Sequence, residues 1–168
     1  MKLVAEGRRV VLRRLREEDI TAVEAWYGEA AMAAGIPHPL PLSRSSGEGR
    51  PVEDGASDLL VVERVSEPGP IGVVDYAVRD VWVTMGFIAL AKSYRGWGYG
   101  SEAVRLLEEW ATGNGSAERF RAKVPVGNGL GLYFWLRLGY RPAGRHELGW
   151  PPDERRDMMP MVRQPTDT

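Results

Sequence analysis

The chain contains no cysteine, which removes disulfides, thiolate nucleophiles, iron–sulfur clusters and cysteine zinc sites from consideration. Histidine is nearly as scarce. His38 and His146 stand beside proline or glutamate in loop-like surroundings and read as surface residues. Net charge is almost absent too: 22 basic side chains face 23 acidic ones, a balance of -1. Nothing in the total therefore favours non-specific attraction to nucleic acid or to an anionic membrane. Long apolar runs are also missing. The stretch from Val81 to Ala91 is interrupted by Thr84 and Gly86 and falls far short of the ~20 residues a spanning helix needs. Residues 1 to 9 hold no apolar core of signal-peptide length. These absences point to a cytoplasmic protein whose partners are neither nucleic acid nor membrane. What is present is an ordinary globular balance, 43% apolar and 27% charged over 168 residues. A chain of this size buries roughly 70% of its unfolded surface around one core. The expected organisation is a single domain over residues 1–163 and a polar tail over 164–168.

Residues 8 to 15 alternate basic and apolar side chains as a strand does. The acidic run Glu17, Glu18 and Asp19 then suits the positive end of a helix carrying Ile20, Val23, Trp26 and Tyr27 at near-helical spacing. Residues 37 to 57, rich in proline, serine and charge, read as a long surface loop. Strand-like segments follow at 58–65, 70–79 and 81–90, the first two joined by a turn signal, Ser66-Glu67-Pro68-Gly69, so an antiparallel meander is expected. A helix is expected over 101–112, with Val104, Leu107, Trp110 and Ala111 on one face and a stop at Gly113-Asn114-Gly115. A strand at 120–126, a helix at 128–138 closed by Gly139, and strands from Tyr140 and over 157–162 complete the reading.

The chemistry concentrates at Arg95-Gly96-Trp97-Gly98-Tyr99-Gly100, between an apolar strand and a helix. Three glycines there leave bare backbone N–H groups where a helix dipole is positive, an arrangement that holds phosphate. The plain alternative is a strand-to-helix turn with glycines for steric reasons. Gly98 to Ala103 also satisfies the dinucleotide fingerprint GxGxxG/A. That fingerprint belongs in a first βα unit with a ribose-binding acid at the end of the next strand. Here several strands come first, the next strand ends at Val126-Gly127-Asn128, and Glu118 precedes it, so the nicotinamide reading is disfavoured.

The segment Leu90 to Tyr99 resembles the pyrophosphate signature of the GNAT superfamily of N-acetyltransferases, with (Gln or Arg)-x-x-Gly-x-(Gly or Ala) falling on Arg95, Gly98 and Gly100. Asn128 followed by Trp135-Leu136-Arg137-Leu138-Gly139-Tyr140 is similar to the family's second signature, a strand-end Asn and a helix closing in Leu-Gly-(Phe or Tyr). The order of elements also fits, except that residues 37–57 replace the usual second helix. The resemblance implies an α+β fold: a central mixed, mostly antiparallel sheet of six to seven strands, splayed between the family's fourth and fifth strands and flanked by helices. It implies acetyl-CoA as co-substrate, with its arm along Ile88, Ala89 and Leu90. The pyrophosphate would lie on Arg95, Gly96, Trp97, Gly98, Tyr99, Gly100 and Ser101, with Asn128 and Trp135 completing the cofactor contacts. Asn128 also suits a helix N-cap. The acceptor would be a primary amine of a small molecule or a protein N-terminus, entering beside Trp26, Tyr27 and Met32. Glu48, Glu53 and Asp54 of the loop could draw in a cationic acceptor or merely keep the loop soluble. Homodimers pairing through C-terminal strands occur among relatives, and a homodimer is the assembly the resemblance allows.

Two departures from the family bear on mechanism. A lysine-like amine must lose its proton at a cost of roughly 4.6 kcal/mol at neutral pH, and the usual glutamate base is replaced by Thr84. Asp75, inside an otherwise apolar strand, is the candidate base, its alternative being a structural acid paired with arginine. The family's tyrosine acid is replaced by Trp135, whose indole donates a hydrogen bond but no proton. Tyr133 lies on nearly the opposite side of the helix. No metal is expected. These departures also raise a non-catalytic reading, an acyl-CoA-binding sensor or interaction domain of the same fold.

Overall fold

Val, Ile and Leu dominate residues 59–62 and 71–74, a composition suited to strands covered on both faces. The computed structural model describes residues 3–33, 58–79, 81–114, 117–127, 129–143 and 158–164. In it these segments form the middle of one sheet. The strands are β1 (Leu3–Glu6), β2 (Val10–Arg14), β3 (Asp58–Arg64), β4 (Glu67–Arg79), β5 (Trp82–Leu90), β6 (Arg119–Pro125), β7 (Arg141–Pro142) and β8 (Met158–Arg163). The helices are α1 (Ile20–Ala33), α2 (Tyr99–Asn114) and α3 (Gly129–Arg137). Strand order is β1-β2-β3-β4-β5-β6-β8-β7. Among the described strands only β5 and β6 run parallel, as the α2 crossover between them requires. The reading of 37–57 as a loop, with Glu48, Glu53, Asp54 and His38, lies outside the described residues, as do Asn128 and His146.

Among the described residues the sheet has eight strands where six to seven were expected. The addition is β1, which folds back onto β2 through Gly7, whose N–H donates to the Val10 carbonyl at 2.8 Å. The β3–β4 turn also sits earlier than its sequence signal. Strand pairing runs on to Arg64 and Glu67, helped by bulges at Glu63 and an Arg64–Glu67 ion pair of 2.6 Å, so Pro68 and Gly69 belong to β4.

Side-chain alternation sorts the core into two layers. Leu12, Leu60, Val62, Val74, Tyr76, Val83, Met85 and Phe120 face α2, with Val104 and Leu107 packed against them. On the opposite face, Leu15, Leu59, Val61, Val73 and Ala89 meet Val23 of α1 and, at the edge, Ile20 and Trp26. Arg13, entirely buried in this second layer, binds Asp19 through both terminal nitrogens at 2.7 and 2.8 Å and Glu63 through Nε at 2.7 Å. Asp19 also accepts the Arg16 N–H at 2.8 Å. Asp19 is thus turned inward, a buried link from β2 to the start of α1, rather than an exposed acid serving the helix dipole.

Burial alone would raise the Asp19 pKa. The hydrogen bonds and charge of Arg13, with the Arg16 N–H, outweigh burial and hold it below the usual aspartate value. A depressed folded-state pKa stabilises above the unfolded value of about 3.9 and is lost as pH falls through the folded value. Asp19→Asn should therefore cost about 3 kcal/mol at neutral pH. In chemical denaturation the gap to wild type should narrow below about pH 4.

Candidate functional site

The parallel pair β5–β6 is short. Register runs from Trp82↔Arg119 to Met85↔Ala122 and stops. β5 nevertheless stays paired with β4 as far as Leu90, and β6 stays paired with β8 as far as Pro125. The two central strands therefore diverge beyond Met85. A bulge marks the point of departure: Tyr76 pairs with Met85 and Asp75 with Phe87, so Gly86 is an extra residue in β5. Such an insertion bends and twists its strand, and here the bend carries β5 away from β6.

Along the freed half of β5 the hydrogen-bonding direction follows from its other edge. The Ala91 N–H donates to the Ile71 carbonyl at 2.8 Å. Antiparallel alternation then turns Ala89 toward Val73 and turns the N–H and C=O groups of Ile88 and Leu90 into the gap. Of the three residues expected to line the arm, Ile88 and Leu90 present main-chain groups there and Ala89 does not. The Leu90 carbonyl already accepts from Arg95 Nε at 2.9 Å, which ties the end of β5 to the glycine turn.

Residues 95–100 form that turn as expected, and α2 begins within it at Tyr99. Gly96 and Gly98 adopt φ of 85° and 86°, conformations that side chains resist. Among the described residues, no carbonyl or side chain accepts from the N–H groups of Gly96 to Ser101. The first such bond is Glu102 N–H to the Gly98 carbonyl at 3.1 Å. A row of bare donors at the positive end of a sixteen-residue helix is an anion cradle. Trp97 is 67% exposed on its rim. The three glycines differ in purpose. A Cβ on Gly96 would meet open space, whereas on Gly100 it would lie 3.3 Å from the Phe134 ring and 3.5 Å from Leu90 Cδ1, so Gly100 serves packing between α2, α3 and β5.

The remaining candidates are dispersed around the gap. Asp75 is half-buried on β4 opposite Phe87, on the α1 side of the sheet and beside the bulge; it is not an unpartnered carboxylate. Thr84 accepts a hydrogen bond from Arg121 Nε at 2.7 Å, and Arg121 lies against the Trp82 ring, so the position of the usual base carries a cationic neighbour. Trp135 is 5% exposed and packs edge-to-face between Phe134 and Tyr140. Tyr133 lies exposed on the far side of α3 with Arg137 over its ring. Trp26 packs at the edge of the α1-side core.

Sequence reasoning missed the braces. Glu108, on the buried face of α2, accepts from Tyr140 Oη, from Arg163 Nη2 at 2.7 Å and Nε at 3.1 Å, and from Arg105 at 3.3 Å. Burial and the facing Glu108 carboxylate push the Tyr140 phenol well above its ordinary value, so it stays protonated and committed to this network. No periodicity signals Tyr140 or Arg163, which lie 32 and 55 residues from Glu108, and Arg105, three residues away on α2, gives no hint of the network alone. Gly72 was also missed. A Cβ there would fall 2.5 Å from Leu90 Cδ2 and 2.7 Å from the Ala89 carbonyl oxygen. Gly72→Ala should cost about 1–3 kcal/mol by overpacking. That should appear as a Tm lower by roughly 2–12 °C, since each kcal/mol shifts Tm by about 2–4 °C at this size.

Among the described residues no cluster of His, Asp or Glu is suited to a metal, and no helix is long and apolar enough to cross a membrane. Residues 9–140 match the acetyltransferase (GNAT) domain family. A curated relative, the uncharacterized N-acetyltransferase YobR of Bacillus subtilis, is 33% identical over 70 residues, which cover 42% of this chain and 28% of that protein. The matched region thus spans little more than a quarter of that relative. A GNAT-family acetyltransferase from Bacillus anthracis superposes with a TM-score of 0.73 at 15% identity, covering 95% of this chain and 97% of that one. Spermidine N-acetyltransferase from Vibrio cholerae, solved with CoA and spermine, gives 0.70 at 15%, covering 94% and 96%. An acetyltransferase from Salmonella typhimurium that modifies the N-terminal serine of ribosomal protein L7/L12 gives 0.72 at 15%, covering 97% and 99%. The diverging central strands, the glycine turn opening α2 and the match over residues 9–140 place this chain in the GNAT acetyltransferase family.

Proposed function

We propose that the protein is an acetyl-CoA-dependent N-acetyltransferase whose acceptor is a primary amine of a small molecule or a protein N-terminus. One observation carries this reading: the bare amides of Gly96 to Ser101 open onto the same end of the sheet where β5 leaves β6. Acetyl-CoA supplies an acyl thioester on a long, amide-containing arm that ends in a diphosphate. The chain's groups suit each part. Amides 96–101, with Arg95 and the Ser101 hydroxyl, hold the diphosphate. The gap-facing main chain of Ile88 receives the amides of the arm, and the family resemblance adds Asn128 and Trp135 to the cofactor contacts.

In the transfer the amine nitrogen bonds to the acyl carbon, the carbon–sulfur bond breaks, and sulfur departs as thiolate. A thiol of pKa about 8.5 leaves at neutral pH with a deficit of about 2 kcal/mol, so no protein acid is required. That accords with Tyr140 being locked to Glu108 and with Trp135 standing in the family's tyrosine position. The Leu90 N–H, aimed into the gap, is the donor suited to the charge that grows on the acyl oxygen. Asp75 is one strand spacing, about 4.8 Å, from β5, so it takes the amine proton through a bridging water rather than directly. The family resemblance puts the acceptor's approach beside α1, at Trp26 and Tyr27. The alternative, an acyl-CoA-binding domain without turnover, draws its support from Thr84, which accepts from Arg121 where a base would stand.

Thiol release from acetyl-CoA, followed across spermidine, amino sugars and peptides with free N-termini, separates the two readings. Turnover with at least one amine class is expected; tight CoA binding with no thiol release across the panel favours the sensor. Asp75→Asn should lower kcat roughly 10- to 100-fold with KM for acetyl-CoA little changed. Gly98→Asp, which puts a carboxylate and a strained backbone into the cradle, should weaken CoA binding by roughly 100-fold or more in calorimetry. Unaltered affinity there removes the diphosphate assignment.

A further inference from the structure

The β1–β2 turn delivers a side chain to the glycine turn from the other end of the sequence. The Arg9 N–H donates to Glu102 Oε2 at 2.7 Å and its Nε donates to Glu102 Oε1 at 2.8 Å, while the Val10 N–H reaches the same carboxylate at 3.2 Å. Arg9 Nη1 donates to the Trp97 carbonyl at 3.0 Å, and the guanidinium lies 4.8 Å from the centre of the Tyr99 ring. Three points thus fix the fork. Its remaining nitrogen, Nη2, sits 3.1 Å from where a Cβ on Gly98 would stand and has no partner among the described residues. Glu102 makes this arrangement necessary as well as possible. It puts a carboxylate in the first turn of the helix whose start should receive an anion, and its bonds to Arg9 hold it ionised despite partial burial. Unneutralised, that charge would oppose a phosphate.

We propose that Arg9 is a diphosphate-binding residue, cancelling Glu102 with one edge of its guanidinium and offering Nη2 beside Gly98 to the anion held on the 96–101 amides. This rests on reading the glycine turn as a diphosphate site. It adds a cation whose position is set by packing, where the amides alone supply only partial charges.

The test is calorimetric binding of CoA and of pantetheine, which carries the same arm without phosphates, to wild type, Arg9→Gln and Arg9→Lys. Arg9→Gln keeps a donor for Glu102 and removes the charge. It should weaken CoA roughly 10- to 100-fold, as loss of a charge-assisted bond does, and leave pantetheine within about twofold. Its CoA affinity should also fall less steeply between low and high salt, a slope that bracing alone would not change. Arg9→Lys should recover most of the salt dependence and part of the affinity. The inference is overturned if wild type prefers CoA strongly over pantetheine and Arg9→Gln preserves that preference and its salt slope. If wild type itself binds the two equally, the diphosphate reading of the turn fails and this proposal with it. A variant melting too low to titrate leaves the decision to Arg9→Lys, where a salt slope as shallow as that of an uncharged site counts against the contact.

Discussion

The constraint on which this structure depends is that a central strand cannot keep two partners once it bends. β5 inserts Gly86 and stays with β4, so its other edge gives up β6 after Met85. An interior edge with unmatched N–H and C=O groups is costly unless something pairs with it. In most sheets such an edge would be a fault. Here it leads into the glycine turn, so on the proposed reading one ligand with amides along its length and an anion at its end would satisfy both sets of groups. Gly72 lets the freed segment lie close on β4, and Arg95 fastens its last carbonyl.

Holding such a gap open falls to ionic braces placed around it. Arg13 with Asp19 and Glu63 fixes α1 to β2 and β3. Glu108 with Tyr140, Arg163 and Arg105 fixes α2 to β8 and to the turn after α3. Glu102 with Arg9 fixes the start of α2 to the first hairpin. The buried pairs among these, Arg13 with Asp19 and Glu63 and Glu108 with Arg163, contribute modestly to stability compared with apolar packing, while breaking one is costly. That asymmetry suits a frame in which position matters more than average cohesion.

Much of this was legible from residues alone. The meander, α2 and the 95–100 turn follow from local periodicity and glycine spacing, and the gap follows from the resemblance those residues carry. What escaped was long-range or disguised. Glu17 to Asp19 read as helix-dipole charges because nothing local says that Asp19 turns inward to Arg13. β1 escaped because four residues and a Gly-Arg-Arg turn make a weak strand signal. Gly86 was visible as a break in an apolar run, and an isolated glycine in a strand is a bulge signal, yet the residue's consequence appears only once both neighbouring strands are in place. Arg9 carried no chemical signature at all, since its partners lie 88 and 93 residues away.

The position of β8 shapes how the protein comes to exist. β6 shares four register pairs with β5 and six with β8, so the far wall of the gap rests chiefly on the described strand that leaves the ribosome last. Until then a nascent chain exposes an unmatched central edge, the kind of surface on which chains stick to one another. Synthesis rate and chaperone access while β8 emerges should therefore govern yield more than the strength of the early hairpins does.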